Sequence, residues 1–256
     1  MSFMNENNRF SKLPEITLIF WALKILATTL GETAGDAASM SMNLGYLISS
    51  GIFSILFVIF VLMQIFSKKF HPVLYWTTII TTTTLGTTIA DFVDRSLGIG
   101  YTGGTTILVL LLITSLTIWY FSLGSISVKT VNARPSEIFY WVTILFSQTL
   151  GTALGDWMAD TAQLGYGGGT LLFGTALTLI ATAYYKTSLS RTFLFWTAFI
   201  LTRPLGAVVG DFLDKPKADG GLELSRYTAS ATLLALMILF LFIQKNQSQS
   251  EKNIPS

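Results

Sequence analysis

The stretch WALKILATTLGETAGD, which covers residues 21–36, decides the fold because its pattern returns three more times along the chain. In every copy a Leu-Gly pair follows a Trp by nine and ten residues, and an Asp follows the same Trp by fifteen. The copies run from Trp21 to Asp36, from Trp76 to Asp91, from Trp141 to Asp156 and from Trp196 to Asp211. A spacing kept four times indicates an internal repeat, and repeats determine architecture.

Composition indicates an integral membrane protein. Hydrophobic residues make up 51% of the 256 residues and charged residues 12%, whereas soluble domains carry about a quarter charged residues. Eight apolar stretches are about as long as a bilayer requires, roughly 20 residues each. They cover residues 14–36, 45–66, 72–94, 103–124, 136–158, 168–186, 192–213 and 227–243. Their length, without two-residue alternation, predicts an all-α fold of eight transmembrane helices.

Each repeat holds two predicted helices, so all four repeats share one orientation. The Trp residues recur at intervals of 55, 65 and 55 residues, which divides the chain into two halves. The parts are a cytoplasmic segment 1–13, repeats 1 and 2 over 14–124, a cytoplasmic connector 125–135, repeats 3 and 4 over 136–243, and a polar tail 244–256 predicted to be unstructured. Parallel repeats predict pseudo-symmetry about the membrane normal, with the Asp-bearing helices around a common centre.

The distribution of basic residues predicts the orientation in the membrane. Loops on the amino-terminal side carry ten Lys and Arg residues, and the opposite loops carry four. The positive-inside rule therefore puts both termini in the cytoplasm of a bacterial inner membrane. Because these residues are scattered at span ends, nucleic acid is not an expected partner. The first thirteen residues show no cleavable signal pattern, so the first apolar stretch is predicted to be retained as a span.

Acidic residues occur in pairs at the outer end of each Asp-bearing helix. The pairs are Glu32/Asp36, Asp91/Asp94, Asp156/Asp160 and Asp211/Asp214. A spacing of three or four puts both carboxylates on one helix face, where they repel unless a cation or protons lie between them. A charge at mid-membrane costs roughly 2.5–3.5 kcal/mol and marks a functional site by default. We therefore predict that these eight carboxylates form a metal site.

Other roles for the acids remain open at this point. The second acid of each pair could lie in solvent at the end of its helix, at the membrane surface. The four repeated Asp residues could cap Gly-rich turns. Oxygen donors suit a hard cation such as manganese, magnesium or calcium. The chain has no Cys and one His, which excludes disulfides and a His/Cys zinc site. No bound cofactor is expected apart from a transported cation.

Two basic residues interrupt the apolar helices. Lys24 stands where the other repeats have Ile or Phe, and Arg203 stands where they have Thr or Gln. Successive four-residue steps from Lys24 through Thr28 to Glu32 and Asp36 place Lys24 beneath Glu32 on one helix face. Either residue could compensate buried carboxylates as a fixed ion pair, and Lys24 could equally couple proton movement. For Arg203 the fixed ion pair is the favoured interpretation.

Several further features carry packing expectations. The glycines of the motif, Gly31, Gly86, Gly151 and Gly206, should let neighbouring helices approach closely. The Trp residues suit an aromatic belt or core packing. Hydroxyls of the Thr run 81–84 can bond back to helix carbonyls. Tyr46, Tyr101 and Tyr166 each follow their Asp by ten residues, which hints at a hydroxyl near the acids.

The four Trp-x8-Leu-Gly-x4-Asp units resemble a bacterial family of membrane proteins built from four tandem repeats of unknown function. The resemblance covers residues 14–243 and implies the repeat architecture and the inner-membrane location, without an activity. The segment from Glu32 to Asp36, with Gly35, is also similar to the Glu-x-Gly-Asp-Lys/Arg signature of cation exchangers for calcium and manganese. It departs by one extra residue and by Ala37 in place of the base.

These observations favour a secondary transporter that exports a hard divalent cation such as manganese, in exchange for protons. An alternative is a cation channel in which the same acids line an axial pore and ion flow is not coupled to protons. A non-transporting membrane scaffold or partner subunit is the third class. An enzyme is not expected, because no His, Cys or Ser is set for a catalytic triad. Expected partners are membrane lipid, the metal cation and protons, and a homo-oligomer stays open.

Overall fold

Residues 12–252, which a computed structural model of the chain describes, form eight long α-helices and no strand. The helices are α1 (Leu18–Asp36), α2 (Gly45–Phe66), α3 (Pro72–Asp91), α4 (Gly100–Leu123), α5 (Arg134–Asp156), α6 (Gly165–Lys186), α7 (Arg191–Asp214) and α8 (Arg226–Lys252). The all-α prediction is therefore confirmed. The tail from residue 244 was expected to lack structure, but α8 continues through it to Lys252. Residues 1–11 of the predicted amino-terminal segment and 253–256 of the tail lie outside the described residues.

Six of the helices are long and apolar enough to cross a membrane, so the chain is a membrane protein. They are α2, α4, α5, α6, α7 and α8. The sequence predicted eight spans, and the difference lies in α1 and α3. Helix α1 carries Lys24, Glu32 and Asp36, and α3 contains eight Thr residues, which lowers the hydropathy of both. Both helices are largely buried within the protein, where lipid does not meet their polar side chains.

The first helix of every repeat belongs to an inner ring. Helix α1 packs against α3, α3 against α5, α5 against α7, and α7 closes the ring by packing against α1. The second helix of every repeat lies outside and packs against the inner helix of the next repeat. Thus α2 covers α3, α4 covers α5, α6 covers α7, and α8 returns to cover α1. Each repeat therefore depends on its neighbour to bury its apolar face, as is typical of repeat proteins.

Every fourth residue of each inner helix faces the interior of the ring. Counted from the Trp of each repeat, the positions −1, +3, +7, +11 and +15 are buried in all four helices, since a four-residue step keeps to one helix face. The resulting layers are Phe20/Tyr75/Tyr140/Phe195, Lys24/Ile79/Ile144/Phe199, Thr28/Thr83/Gln148/Arg203, Glu32/Thr87/Thr152/Ala207 and Asp36/Asp91/Asp156/Asp211.

The motif glycines set the distance between neighbouring inner helices, as the sequence predicted. A Cβ on Gly86 would come within 2.9 Å of the Gln148 carbonyl carbon, and one on Gly151 within 2.0 Å of Arg203 Cγ. Gly31 and Gly206 lie equally close to Thr83 and Thr28. In every case the glycine at +10 contacts the +7 residue of the next repeat. Small residues are what allow helix backbones to approach this closely in membranes.

Aromatic side chains fill the amino end of the ring. Trp76, Trp141 and Trp196 are buried there, so these three Trp residues serve core packing and not a lipid-facing belt. The layer beside them links two neighbouring inner helices, α3 and α5, because the hydroxyls of Tyr75 and Tyr140 lie 2.8 Å apart. We call the layer Phe20/Tyr75/Tyr140/Phe195 with these Trp residues the aromatic plug.

Local signals explain where the inner helices begin and how their polar side chains are satisfied. Thr17 and Ser190 accept hydrogen bonds from the first turns of α1 and α7, and α3 begins at Pro72, a residue favoured at that position. The predicted back-bonding of the Thr run is confirmed: Thr82 donates to the Thr78 carbonyl at 2.6 Å, and Thr84 to the Ile80 carbonyl at 2.9 Å.

The connector between the two halves packs against the aromatic plug. Val131 is fully buried, and the indole of Trp196 donates a 2.9 Å hydrogen bond to the Ile126 carbonyl. The segment 125–135 therefore helps to close this end of the bundle.

Replacing Gly86 by Ala tests the close approach of α3 and α5. The added methyl group would meet backbone atoms of Gln148 and Thr149, both 2.9 Å away, which cannot rotate aside. We expect a loss of about 1–3 kcal/mol, the usual cost of overpacking. Gly174→Ala on α6 is the matched control, because no atom lies within 4 Å of its added Cβ. Thermal unfolding in detergent measures both; equal midpoints for the two variants would contradict the packing described.

Candidate functional site

One guanidinium group connects all four inner helices. Arg203 on α7 is fully buried. It donates to the main-chain carbonyls of Gln148 at 3.2 Å, Thr28 at 3.2 Å and Thr83 at 3.4 Å. These three residues occupy the position of Arg203 in the other repeats, so the side chain reaches every neighbour at one level. We call Arg203 and its partners the hub.

The charge of Arg203 is balanced by the acid one helical turn away on α1. Nη2 of Arg203 lies 2.8 Å from Oε2 of Glu32, which is the fixed ion pair favoured from the sequence. Thr87 and Thr152, at the position of Glu32 in their own repeats, accept hydrogen bonds from the same nitrogen. Their hydroxyls in turn donate to Glu32. The two charged groups of the hub are thereby paired with each other and hydrogen-bonded, which buried charges require.

Lys24 lies on the aromatic side of the hub and is also fully buried. Its ammonium is 3.4 Å from Oε1 of Gln148 and 4.2 Å from the centre of the Phe199 ring. Although Lys24 was expected beneath Glu32, the carboxylate of Glu32 pairs with Arg203 instead. A cation–π contact and an amide oxygen give Lys24 weaker stabilisation than a carboxylate would. Among the side chains that the structure describes, those of residues 12–245, no ion pair joins Lys24 to an acid.

The four repeated Asp residues are all buried at one level of the ring. Arg95 lies 3.1 Å from Asp91 and 3.3 Å from Asp156. On the other side of the layer, the ammonium of Lys215 lies 3.1 Å from Asp211 and pairs closely with Asp36. Each base thus joins the Asp of its own repeat to the Asp of the next one. We call Asp36, Asp91, Asp156 and Asp211 the carboxylate layer.

Lys215 and Arg95, two basic residues that contact the carboxylate layer, both remain charged. Burial disfavours the ammonium form of Lys215, but the carboxylates of Asp211, Asp36 and Asp214 outweigh this effect and raise the pKa of Lys215 well above its ordinary value. Arg95 stays protonated in proteins regardless of its surroundings. Both cations therefore persist beside the acids at neutral pH.

The second acids of the pairs differ from one another. Asp94 and Asp214 are buried, whereas Asp160 is exposed. Arg226, at the start of α8, lies 3.1 Å from Asp214. Neither carboxylate oxygen of Asp94 has a hydrogen-bond partner among residues 12–245, whose side chains the structure describes. A position in solvent at the helix end therefore fits Asp160 but not Asp94 or Asp214.

Charges at this end of the ring do not cancel. The described residues bring six buried carboxylates together, those of Asp36, Asp91, Asp94, Asp156, Asp211 and Asp214. Three basic side chains accompany them, Arg95, Lys215 and Arg226. An excess of buried carboxylates attracts cations or retains protons.

Backbone irregularity follows the first three Asp residues directly. The chain forms π-helical turns over Ala37–Ser41, Phe92–Ser96 and Trp157–Thr161. Such turns are rare and occur frequently at functional sites. In the fourth repeat α7 continues to Asp214, and Lys215 then adopts extended backbone geometry. This difference allows Lys215 to turn back onto Asp36.

Two of the repeated Tyr hydroxyls lie near the acids, as their spacing hinted. Arg95 donates to the hydroxyls of Tyr101 at 3.1 Å and Tyr46 at 3.2 Å. Tyr227, in the fourth repeat, is half exposed. The two hydroxyls hold the guanidinium that bridges Asp91 and Asp156.

The bridging bases were missed in the sequence, where Arg95, Lys215 and Arg226 were counted only as outer-loop charges. A signal was present: Asp91 to Arg95 and Asp211 to Lys215 repeat one four-residue spacing, which brings opposite charges together on a helix. The contacts of Arg226 with Asp214, at 3.1 Å, and with Asp36, at 3.8 Å, could not be predicted from a helical spacing, because they depend on where the loop after α7 places the start of α8.

Two members of the carboxylate layer, together with Asp214, form the donor set for a metal ion. Asp36, Asp211 and Asp214 each offer a carboxylate oxygen, and these atoms lie within 4.8 Å of one another. All three residues are buried, and one oxygen each of Asp36 and Asp214 has neither a hydrogen bond nor an ion pair among the described residues. Oxygen-only ligands suit hard cations.

The repeats seen in the structure coincide with a known family. The model described as Repeat of Unknown Function (DUF347) matches the chain four times, over residues 19–70, 74–125, 139–190 and 194–249. Each match covers most of one inner helix together with the outer helix that follows it. Neither a curated protein nor a solved structure matches the chain. The expectation of a four-repeat family is thus confirmed: the chain belongs to the DUF347 repeat family, with four consecutive copies.

Proposed function

We propose that the protein is a secondary transporter of a hard divalent cation such as manganese, working as an exporter. The observation that carries the proposal is the excess of buried carboxylates over bases at one end of a closed ring of helices. Ionisable groups inside membranes typically mark ion pathways and proton relays. Asp36, Asp211 and Asp214 supply the first ligands, and Glu32 is the next carboxylate along the axis.

The proposed site exchanges one cation for another. The ammonium of Lys215 lies among the same carboxylates that would hold the metal. An incoming divalent ion displaces Lys215, because a carboxylate oxygen that binds the metal ion interacts less strongly with the ammonium. When the metal leaves, the ammonium returns and the acids are again compensated. The site therefore never carries its full negative charge in a low-dielectric environment, which would be costly.

The same geometry disfavours a permanently open axial pore. Arg203 bonds to carbonyls of all three other inner helices, and the aromatic plug lies beyond it. An ion crossing the ring requires the hub to separate. A carrier that alternates between arrangements fits this closure, with Glu32 as a proton carrier once Arg203 moves and Lys24 as a compensating charge.

The proposal includes the membrane arrangement. All eight helices cross the bilayer, with α1 and α3 shielded from lipid by the rest of the bundle, and the four repeats are related by pseudo-symmetry about the membrane normal. The cyclic order of helix contacts supports this arrangement. The excess of basic residues at the amino ends of the inner helices supports cytoplasmic termini in a bacterial inner membrane.

Flux measurements test transport directly. Proteoliposomes with an entrapped manganese indicator should show protein-dependent manganese flux that Asp36→Asn and Asp211→Asn each nearly abolish, because either change removes a buried ligand charge. Asp160→Asn is the matched control, since this carboxylate is exposed, and it should retain most of the flux. Normal flux in both buried-site variants would refute the proposal.

Removing the tethered ammonium tests cation exchange. In Lys215→Ala the carboxylates lose their internal competitor, so manganese should bind about tenfold more tightly, which corresponds to about 1.4 kcal/mol. Release should slow, and the maximal flux should fall. Titration calorimetry on the purified protein measures the affinity, and the liposome assay measures the flux. Lys217→Ala, in the exposed loop next to it, is the control. Unchanged affinity in Lys215→Ala would exclude competition by Lys215.

A further inference from the structure

A groove opens on the outside of the first repeat, away from the charged axis. It has a volume of about 410 Å³ and lies between α1, α2 and α8. Its walls are almost entirely apolar, with Ala34, Ala37 and Ala38 as the floor and Ile52 and Phe53 on one side. Grooves of this size are large enough for small ligands.

The groove exists because the first repeat carries three alanines where the other repeats carry bulky residues. The equivalent residues are Ile89, Phe92 and Val93 in the second repeat, Leu154, Trp157 and Met158 in the third, and Val209, Phe212 and Leu213 in the fourth. In those repeats the larger side chains take up the corresponding space. The alanines therefore create a difference that the repeat architecture does not require.

A polar atom inside the groove lacks a partner. Ser49 on α2 lines the groove and is fully buried, yet its hydroxyl has no hydrogen-bond partner among the described side chains of residues 12–245. Ser230 also lines the groove, but its hydroxyl is paired with Thr33 at 2.8 Å. A buried unsatisfied hydroxyl is costly, so Ser49 indicates a ligand with an acceptor oxygen.

The surroundings of the groove specify its ligand. Both walls, α2 and α8, are long apolar helices suited to the membrane, and their outer faces expose Leu47, Ile48 and Leu234. The groove therefore opens towards lipid chains. At its polar end Tyr227 is half exposed, and the neighbouring Arg226, about one-fifth exposed, donates to Ser41. A guanidinium at the edge of the apolar region attracts phosphate.

We propose that this groove binds one membrane phospholipid. An acyl chain lies against Ala34, Ala37 and Ala38, an ester oxygen accepts from Ser49, and the phosphate lies near Arg226. Because Ala37 follows Asp36 directly and begins its π-helical turn, the bound lipid contacts the backbone that positions this carboxylate. The lipid consequently links membrane composition to the carboxylate layer.

Photo-crosslinking tests the site with the full-length protein. The protein is placed in nanodiscs containing phosphatidylglycerol with a diazirine on one acyl chain, illuminated and digested for peptide mapping. Labels should concentrate on the groove segments of α1, α2 and α8. The variant Ala34→Ile/Ala37→Phe/Ala38→Val, which installs the residues of the second repeat, should lose this labelling. Leu171→Phe on the exposed face of α6 is the control and should retain it.

Two further variants separate a lost site from a lost fold. Ala38→Val alone narrows the groove with a small change in volume, and it should reduce the labelling while the unfolding temperature stays near that of the wild type. Labelling that persists in a folded groove-filled variant, or that spreads evenly over all exposed helices, overturns the proposal.

The phosphate contact has its own test. A diacylglycerol probe with the same diazirine lacks the phosphate and should label the groove less than phosphatidylglycerol does. Arg226→Gln should weaken labelling by phosphatidylglycerol and leave labelling by diacylglycerol unchanged. Equal labelling by both probes in the wild type would exclude a phospholipid and indicate an apolar ligand only.

Discussion

A single buried ion pair, between Arg203 and Glu32, is the interaction on which this structure depends. The guanidinium bonds to one carbonyl from each of the other three inner helices and to the carboxylate one turn away. Removing such a group from water costs several kcal/mol per ion, so the pair persists only with complete hydrogen bonding. Glycines make that possible: Gly151 leaves room for the Arg203 side chain, and Gly31, Gly86 and Gly206 bring the neighbouring backbones within reach.

The hub also determines what the carboxylate layer can do. It lies between the acids and the aromatic plug, so in the proposed transporter an ion has to pass this ion pair to cross the ring. Lys215 and Arg95 compensate the layer in different ways. Arg95 is held by two Tyr hydroxyls and bridges Asp91 to Asp156, whereas Lys215 reaches Asp36 from a flexible stem beyond the end of its helix. In the proposed exchange, Lys215 is therefore the base that moves, and Arg95 stays in place.

Much of this could be predicted from the sequence. The Trp-to-Asp repeat indicated paired helices and a common level for four carboxylates, and the glycines indicated close packing. The partners of the charges could not be predicted, because they depend on how the ring closes. Glu32 shares a helix face with Lys24, yet the ring brings Arg203 of the fourth repeat nearer. The eight spans were predicted from the length of the apolar stretches. Helices α1 and α3 are not among the six helices apolar enough to cross a membrane, because they carry polar residues, which helices inside a bundle tolerate.

A double-mutant cycle on the ion pair tests this account most directly. Arg203→Met and Glu32→Gln each leave one buried charge unpaired, and unfolding in mixed detergent should show a loss of about 3–5 kcal/mol for each. The double variant removes both charges and should lose clearly less than the two single losses combined. Additive losses, or single variants as stable as the wild type, would show that the fold does not depend on this pair.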